Sequence, residues 1–239
     1  MSGHSKWSNI KRKKEKTDAA KAKIFTKIGR EIAVVVKQGG ANPNENSKLK
    51  DVIAKAKAAN VPNENIERII KKAAGEGDAN NYEELIYEGY GPGGVACIVE
   101  TLTDNRNRTA GEMRHYFDKC GGNLGQAGSV SFMFDRKGQI VIEAEDLDED
   151  TVMMDALEAG AEDFSADQDV FEIITAPNDL GTVRDALEEK GYTFVSAEVA
   201  YLPQTMTALP EEMVDKMEKL IDMMDENEDV QAFWHNWQD

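Results

Sequence analysis

The start of the chain carries dense positive charge around one aromatic ring. Lysine and arginine bind phosphate oxygens through charge-assisted hydrogen bonds, and a tryptophan ring stacks on an unpaired base. We therefore predict an arm that binds nucleic acid, with a basic tail that only aids solubility as the alternative. The side chains of this predicted arm are Lys6, Trp7, Lys11, Arg12, Lys13, Lys14 and Lys16.

Further cations follow at helical spacing and in one short segment. At about 100° per residue, one set forms a stripe almost opposite the apolar side chains of the same segment. Arg106 and Arg108 lie in what we predict to be a loop before a helix, where two guanidinium groups can clamp a phosphate. Local capping and salt bridging is the alternative for this pair. The cations of the stripe are Lys16, Lys23, Lys27, Arg30 and Lys37.

The distribution of charge indicates a binding site confined to one end of the chain. Residues 1–75 contain 18 lysines and arginines against 7 aspartates and glutamates, whereas the remainder contains 10 against 38. The formal net charge of −17 hides this separation. A positive segment of this size attracts phosphate polymers by releasing their counterions, and an acidic body repels them. The composition therefore makes nucleic acid, either DNA or RNA, the leading partner.

The sequence offers no constellation of residues for catalysis or metal binding. None of its three histidines has a neighbouring serine or cysteine arranged as a nucleophile, and the acidic runs at 145–150 and 225–229 lack the spacing of a calcium loop. We predict solvated acidic loops, no catalytic residue, no metal and no cofactor. Cys97 and Cys120 show no CxxC spacing, which predicts reduced, structural thiols. An enzyme or a protein chaperone is the rival class.

A glycine-rich segment at residues 89–94 formally matches the GxGxxG pattern of dinucleotide-binding sites. Such a site requires a helix directly after the glycines, because the helix N-terminus holds the pyrophosphate. Here Pro92 and then a β-branched run follow. We therefore predict a tight turn between two strands, at residues 84–90 and 95–102.

Three amphipathic helices are predicted to position the cations of the N-terminal third. The first begins at residue 17 or 18 and ends at Gly39-Gly40, the second runs from a cap region at 44–47 to Ala59, and the third covers 62–74. A plain helical hairpin is favoured for the second and third helices over a DNA-reading helix-turn-helix, because the third helix would turn two glutamates toward phosphates.

The rest of the chain alternates between strands and helices. Residues 109–112 fit a capping box that opens a helix, and a strand is predicted at 129–134. From residue 139 to 202 the order of elements is βαββαβ, which is the ferredoxin-like arrangement. A last helix starts at Pro210, and we predict that it folds back onto the region 82–134, because its apolar face needs a surface to cover.

These elements predict an α+β fold with three domains: an N-terminal three-helix bundle, a central α+β domain completed by the C-terminal helix, and an inserted ferredoxin-like βαββαβ domain. The predicted boundaries are 1–75, 82–135 together with 203–239, and 136–202. No apolar run approaches the roughly 20 residues that span a bilayer, and the basic start lacks the apolar segment of a signal peptide. We therefore expect a cytoplasmic protein without a membrane partner.

Several short motifs resemble those of one known family. They are Gly3-His4-Ser5-Lys6-Trp7, the helix segment 23–32, Tyr87-Glu88-Gly89-Tyr90-Gly91-Pro92-Gly93-Gly94, Thr103-Asp104-Asn105-Arg106-Asn107-Arg108-Thr109, Gly121-Gly122-Asn123-Leu124-Gly125 and Gly128-Ser129-Val130. Over essentially its whole length the chain resembles the YebC/PmpR family, which includes a mitochondrial translational activator of cytochrome c oxidase. The resemblance implies a three-domain fold with a helical N-terminal domain, and a regulator that binds nucleic acid without catalysis.

The resemblance implies two roles, and the sequence leaves both open. Some members of the family are named as transcriptional regulators that bind promoter DNA. Others act on ribosomes, where they aid synthesis through difficult stretches such as consecutive prolines. We expect a DNA-binding transcriptional regulator, and a ribosome-associated translation factor is the alternative. The expected partners are nucleic acid and either the transcription machinery or the ribosome, and the oligomeric state stays open.

Overall fold

The computed structural model describes residues 18–75, 81–167 and 169–238. The predicted arm, Lys6 to Lys16, lies outside these residues, so its role stays a prediction. The α-helices are α1 (Asp18–Gly39), α2 (Ser47–Ala58), α3 (Asn63–Ala74), α4 (Arg106–Lys119), α5 (Glu149–Ala159), α6 (Leu180–Glu189) and α7 (Glu211–Glu226). The strands are β1 (Glu83–Tyr90), β2 (Ala96–Thr103), β3 (Asn123–Leu124), β4 (Phe134–Glu143), β5 (Asp163–Ala166), β6 (Val170–Thr175), β7 (Ser196–Pro203), β8 (Thr207–Ala208), β9 (Val230–His235) and β10 (Trp237–Gln238).

The combination of helices with antiparallel sheets confirms the predicted α+β class. The described residues divide into two compact units, of which the first contains residues 18–34, 75, 81–135 and 201–238. The second contains residues 35–74 and 136–200, so it includes α2 and α3 together with most of the ferredoxin-like segment. The division into three domains with the predicted boundaries stays a prediction.

Helix α1 forms where the apolar spacing predicts it. Ile28, Ile32, Val35 and Val36 recur at the intervals of one helical face, and all four are buried. The helix ends before Gly40, whose φ of 87° suits glycine because other residues meet steric conflict there. No described helix, α1 included, is long and apolar enough to cross a membrane.

A four-stranded sheet with the order β3-β1-β2-β9 lies at the centre of the first unit. β1 and β2 pair antiparallel from Glu83 opposite Thr103 to Tyr90 opposite Ala96, and the 3₁₀ turn Pro92–Gly94 joins them. The predicted tight turn is therefore confirmed. β9 pairs antiparallel with the other side of β2, and the sequence does not predict this strand.

Helices α4 and α7 supply the apolar side chains that cover one face of this sheet. Cys97 and Val99 of β2 and Val95 just before it alternate along the chain and therefore face the same side. Each fully buried apolar side chain stabilises the fold by about 1.5–3 kcal/mol relative to an exposed one. The prediction that the C-terminal helix packs onto this region is confirmed. The buried helical residues are Met113, Phe117, Met217, Leu220, Ile221 and Met224.

A second sheet in the other unit has the strand order β5-β6-β4-β7, with α5 and α6 in the connections. This order confirms the predicted ferredoxin-like arrangement. Ile140 and Ile142 of β4, Ile173 of β6 and Leu187 of α6 are among the buried residues of its core. β4 begins at Phe134, which is several residues before the predicted strand.

Helix α4 begins three residues earlier than the sequence predicts. Asn105 is its N-cap, and the Asn105 side-chain oxygen accepts a hydrogen bond from the Arg108 N–H at 3.1 Å. Arg106 and Arg108 therefore belong to the first turn of a helix, and their predicted position in a loop is wrong. The residues from Thr109 onward fit a capping box, but asparagine is the stronger cap, and it comes first in the chain.

The strand predicted at residues 129–134 is wrong, because this segment contains the 3₁₀ turn Ser131–Met133 before β4 begins. The backbone N–H groups of Gly128, Val130 and Ser131 donate to the carboxylate of Glu88 at 2.8, 2.9 and 2.8 Å. Backbone donors that bond one side chain do not pair with a neighbouring strand. The spacing of apolar residues in the segment does not indicate that its backbone bonds Glu88.

Candidate nucleic-acid interface

Two arginines of the predicted site converge on one carboxylate, Asp229, between α7 and β9. Arg30 on α1 donates from Nη1 to Asp229 Oδ1 at 2.6 Å. Arg108 on α4 donates from Nη2 to Asp229 Oδ2 at 2.8 Å. The hydroxyl groups of Thr103 and Thr109 lie 3.2 and 2.9 Å from the same Oδ2. We call these five residues the Asp229 cluster.

The Asp229 carboxylate is buried, with 4% of the residue exposed. Burial alone would raise the pKa of Asp229, but the hydrogen bonds from Arg108 and Arg30 outweigh it and lower the pKa. Hydrogen bonds to Asp229 and Asp104 raise the pKa of the Arg108 guanidinium in turn. The prediction of a solvated acidic loop at 225–229 is wrong, since the run starts inside α7 and ends in this cluster.

The Asp229 cluster gives Arg30 and Arg108 a structural task. Removing one partner from a fully buried ion pair costs about 3–5 kcal/mol, and the cost is lower here because the side chains of Arg30 and Arg108 are 17% and 42% exposed. A phosphate that took either arginine would have to offset that cost. Sequence spacing cannot reveal the pairing, since Asp229 lies 199 residues from Arg30 and 121 from Arg108. Phosphate binding by these two arginines stays a prediction, and their contacts do not support it.

The other predicted cations in the described part of the chain differ in their surroundings. Arg106 has a side chain that is 67% exposed and forms an ion pair with Glu83 at 3.2 Å. Such exposed pairs contribute little, so Arg106 could exchange its partner at low cost. Lys27 donates from Nζ to a backbone carbonyl oxygen of α7 at 3.0 Å. Lys23 is half-buried and Lys37 is exposed near the end of α1.

Helices α2 and α3 carry exposed lysines that the predicted site does not include. The helical projection that singled out the stripe on α1 would also have found them, because they lie outside the apolar sectors of their helices. All of them belong to the basic N-terminal third of the chain. These exposed residues are Lys48, Lys57, Lys71 and Lys72.

Asn46 fixes the start of α2. Its side-chain oxygen accepts a hydrogen bond from the Leu49 N–H at 3.1 Å, which caps the helix. Its amide nitrogen donates to the carbonyl oxygens of Val35 and Gly40 at 2.8 and 2.9 Å. One buried side chain therefore satisfies backbone groups at the end of α1 and at the beginning of α2.

Arg184 of α6 is buried, with 2% of the residue exposed, and it bonds a side chain of α2. It donates to Asp51 at 2.7 Å and to Asp185 at 2.9 Å, and Lys50 forms an ion pair with Asp185. Burial alone would lower the pKa of Arg184, but the two aspartates outweigh it and raise the pKa. Lys50 is thereby engaged within its own unit, unlike a lysine that faces only solvent.

Histidine, cysteine and acidic side chains form no metal-binding group in the described part of the chain. Within residues 18–75, 81–167 and 169–238, no group of three or more histidine, cysteine, aspartate or glutamate side chains could hold a metal ion. Cys97 and Cys120 are buried free thiols, which confirms the predicted state of both. Burial raises the pKa of Cys97 to about 12, so its thiol stays protonated at neutral pH.

Two family models together match nearly the whole chain. The TACO1/YebC N-terminal domain matches residues 5–76, and the TACO1/YebC second and third domain matches residues 82–237. The chain belongs to the TACO1/YebC family. This result confirms the resemblance that the short motifs indicate, and the gap between the two matches falls between the predicted domains 1–75 and 82–135.

Relatives in the TACO1/YebC family are similar over their full lengths. A protein of Acetivibrio thermocellus is 66% identical over 239 residues, which cover 99% of both chains. One of Caldicellulosiruptor saccharolyticus is 60% identical and covers 100% of this chain and 99% of its own. Each is named a probable transcriptional regulatory protein. The crystal structure of a conserved hypothetical protein from Aquifex aeolicus has a TM-score of 0.83 at 45% identity, over 93% of this chain and 92% of that one.

Three of the motifs that resemble the TACO1/YebC family, 87–94, 103–109 and 121–125, make contacts that stabilise the first unit. The segment 103–109 contributes Thr103, Arg108 and Thr109 to the Asp229 cluster. The segment 87–94 contributes Glu88, which bonds the backbone at 128–131. Gly122 lies against the end of β1 so closely that an added Cβ would overlap backbone atoms. These contacts give the motif residues a role in stabilising the fold.

Proposed function

We propose that this member of the TACO1/YebC family is a cytoplasmic transcriptional regulator that binds DNA through its basic N-terminal third. The separation of charge carries the proposal, with 18 cations against 7 acidic residues up to Gly75 and 10 against 38 beyond it. The names of the relatives support it, since they are probable transcriptional regulatory proteins. Counterion release at the basic third then supplies affinity that does not depend on base sequence.

The proposed phosphate contacts come from the arm and from exposed side chains, and not from the Asp229 cluster. Lys11, Arg12, Lys13 and Lys14 are consecutive cations in the arm. Exposed lysines on α2 and α3 add to the positive field that attracts DNA. The acidic remainder repels the same DNA, which keeps the bound duplex at one end of the protein.

The arm can be tested by replacing Lys11, Arg12, Lys13 and Lys14 together with alanine. Binding of a labelled DNA duplex, measured by fluorescence anisotropy at increasing salt, gives a slope of log affinity against log salt. Each lost phosphate contact should flatten that slope by about 0.9 on a duplex and about 0.7 on a single strand. Four lost contacts should therefore flatten it on a duplex by about 3.6.

A matched control removes four exposed cations from the acidic remainder. The control residues are Lys119, Arg136, Lys216 and Lys219, all of them exposed. Their replacement by alanine changes the net charge by the same amount, and it should leave the slope unchanged. An unchanged slope in the arm variant, or an equal change in the control, would contradict the assignment of phosphate contacts to the arm.

The transcriptional role is tested in cells by comparing two fractions of the same culture. Crosslinking to chromosomal DNA should recover the protein with DNA, and sedimentation should show little of it with ribosomes. Recovery only in the ribosomal fraction would overturn the transcriptional role in favour of the ribosomal alternative.

The proposal also holds that the protein acts without catalysis. The relatives' names describe regulators, and the motifs that the structure explains serve folding. A broad screen for hydrolase and transferase activity tests this part. Turnover that persists in the arm variant would contradict it, because an enzyme would not depend on phosphate contacts of the arm.

A further inference from the structure

A groove with a volume of about 490 Å³ lies between α2 and α3. Ile53 of α2 and Ile66 and Ile70 of α3 line its apolar part. Lys57 and Lys71, both exposed, lie at its rim, one on each helix. Ile53 and Ile70 are only half-buried, so the groove presents apolar surface that the hairpin itself leaves open.

The spacing of these residues suits a helical ligand. Ile53 and Lys57 lie one turn apart on α2, and Ile66 and Ile70 lie one turn apart on α3. Ile66 and Ile70 therefore form an apolar strip along α3, and Ile53 lies on the α2 side of the groove. Each helix has 12 residues, which at about 1.5 Å per residue gives about 18 Å, or three turns. An amphipathic helix places its anchors at the same three- and four-residue spacing.

The charge around the groove indicates that a ligand with negative charge would bind there. Of the described residues that line it, Glu67 alone is acidic, against Lys57 and Lys71. Residues 35–74 as a whole carry 8 lysines and arginines against 4 aspartates and glutamates. One residue of each sign is already paired, Asp51 with Arg184 and Lys50 with Asp185, so the excess of cations remains. A ligand with carboxylates beside its apolar stripe would therefore be complementary.

We propose that this groove is a docking site for an acidic amphipathic helix of a partner protein. Nucleic acid fits the groove less well, because among the described residues no aromatic side chain lines it to stack on a base. The isoleucine side chains that line the groove also offer no hydrogen bond to a phosphate group. The inference goes beyond DNA binding by the arm and does not depend on it, since it rests on the contacts and charges of α2 and α3.

The probe is a labelled synthetic peptide whose leucines follow a spacing of three and four residues, with glutamates on the opposite face. One control peptide has the same composition in scrambled order, and another carries lysines in place of the glutamates. Binding to the full chain is measured by fluorescence anisotropy at physiological salt. We expect the first peptide to bind and both control peptides to bind at least about tenfold more weakly. The scrambled peptide lacks the apolar stripe, and the lysine peptide lacks the negative charge.

Paired charge reversals then locate the site. Lys57→Glu with Lys71→Glu should weaken binding of the acidic peptide by about tenfold or more, because both lysines lie at the rim. Lys48→Glu with Lys72→Glu makes the same charge change on the same helices, but outside the groove, and should leave the affinity within about twofold. All four side chains are exposed, so both variants should fold, which circular dichroism verifies.

Three outcomes would overturn the inference. The scrambled peptide binds as well as the striped one, the two charge-reversal variants lose the same affinity, or the acidic peptide does not bind at all. DNA affinity is measured on the same two variants. If Lys57→Glu with Lys71→Glu weakens DNA binding much more than the control pair does, the groove is a nucleic-acid site instead. Loss of DNA binding in the arm variant would leave the inference intact.

Discussion

Asp229→Asn should lower the free energy of unfolding by about 2–4 kcal/mol. Asp229 accepts charged hydrogen bonds from Arg30 at 2.6 Å and from Arg108 at 2.8 Å. A hydrogen bond to a charged group contributes about 1.5–3 kcal/mol, and asparagine keeps one acceptor while its NH₂ group faces a donor. The side chains of Arg30 and Arg108 are 17% and 42% exposed, so partial hydration reduces the cost below that of a fully buried pair. Urea unfolding at neutral pH, followed by circular dichroism, measures the change.

Glu228→Gln is the matched control, because Glu228 bonds the same Arg30 guanidinium at 3.0 Å. Its side chain is 52% exposed, so water replaces the lost contact, and the expected cost is only about 0–1 kcal/mol. Both variants remove one negative charge beside Arg30, and the comparison therefore contrasts a buried carboxylate, which also bonds Arg108, with an exposed one. A cost for Asp229→Asn that equals the cost of the control would refute the assigned role of the Asp229 cluster.

The dependence on pH provides an independent test of the same residue. Folding lowers the pKa of Asp229, so its contribution to stability is present above the unfolded pKa of about 3.9 and is lost as the pH falls through the folded pKa. The stability difference between the wild type and Asp229→Asn should be constant from about pH 5 to 8 and should shrink below about pH 4. A difference that stays constant into acid would show that the lost charge is not the cause.

Three further predictions concern the framework of the first unit. Gly122→Ala should destabilise the protein by about 1–3 kcal/mol because its Cβ would overlap backbone at the end of β1, whereas Gly111→Ala, in α4 with open space around it, should stabilise it by about 0.5–1 kcal/mol. Urea unfolding of both variants checks this pair, and equal effects would contradict it. Glu88→Gln should cost about 1–3 kcal/mol and speed hydrogen exchange at residues 128–131, since an amide leaves backbone donors there unsatisfied. Burial alone would raise the pKa of Glu88, but the backbone N–H groups lower it, so this cost should also shrink in acid; an unchanged exchange rate would contradict the assigned contacts. Cys97, with a pKa raised by burial to about 12, should react with a thiol reagent at pH 8 only after unfolding, and rapid reaction of the folded protein would contradict its burial.

The elements that the sequence predicts well are those whose signal is local. Helix α1 carries its apolar positions and its terminating glycines within its own residues, and the predicted bounds agree with the structure. The ferredoxin-like order of strands follows from six consecutive segments, in each of which the spacing of apolar residues is typical of either a strand or a helix. Helix α7 has both an N-terminal proline and an apolar face, so its existence and its packing were predictable.

The elements that escape prediction depend on partners far along the chain. β9 becomes a strand by pairing with β2, where Cys97 lies opposite His235. The start of α4 was misplaced because two residue types suited to capping lie four positions apart, and local spacing cannot choose between them. The pairing of Arg30 and Arg108 with Asp229 is not predictable from the sequence for the same reason, since only the fold brings Asp229 to both.

The use of arginine inside the Asp229 cluster bears on how the proposed regulator would select its DNA. Arginine reads guanine through two parallel hydrogen bonds, whereas lysine is a point charge on a flexible stem. Arg30 and Arg108 are engaged with Asp229, and the exposed cations of α2 and α3 are mostly lysines. Binding should therefore depend strongly on salt and weakly on base sequence. Selection of particular promoters then requires a second determinant, and a partner protein docked in the groove between α2 and α3 would supply one beside the bound DNA.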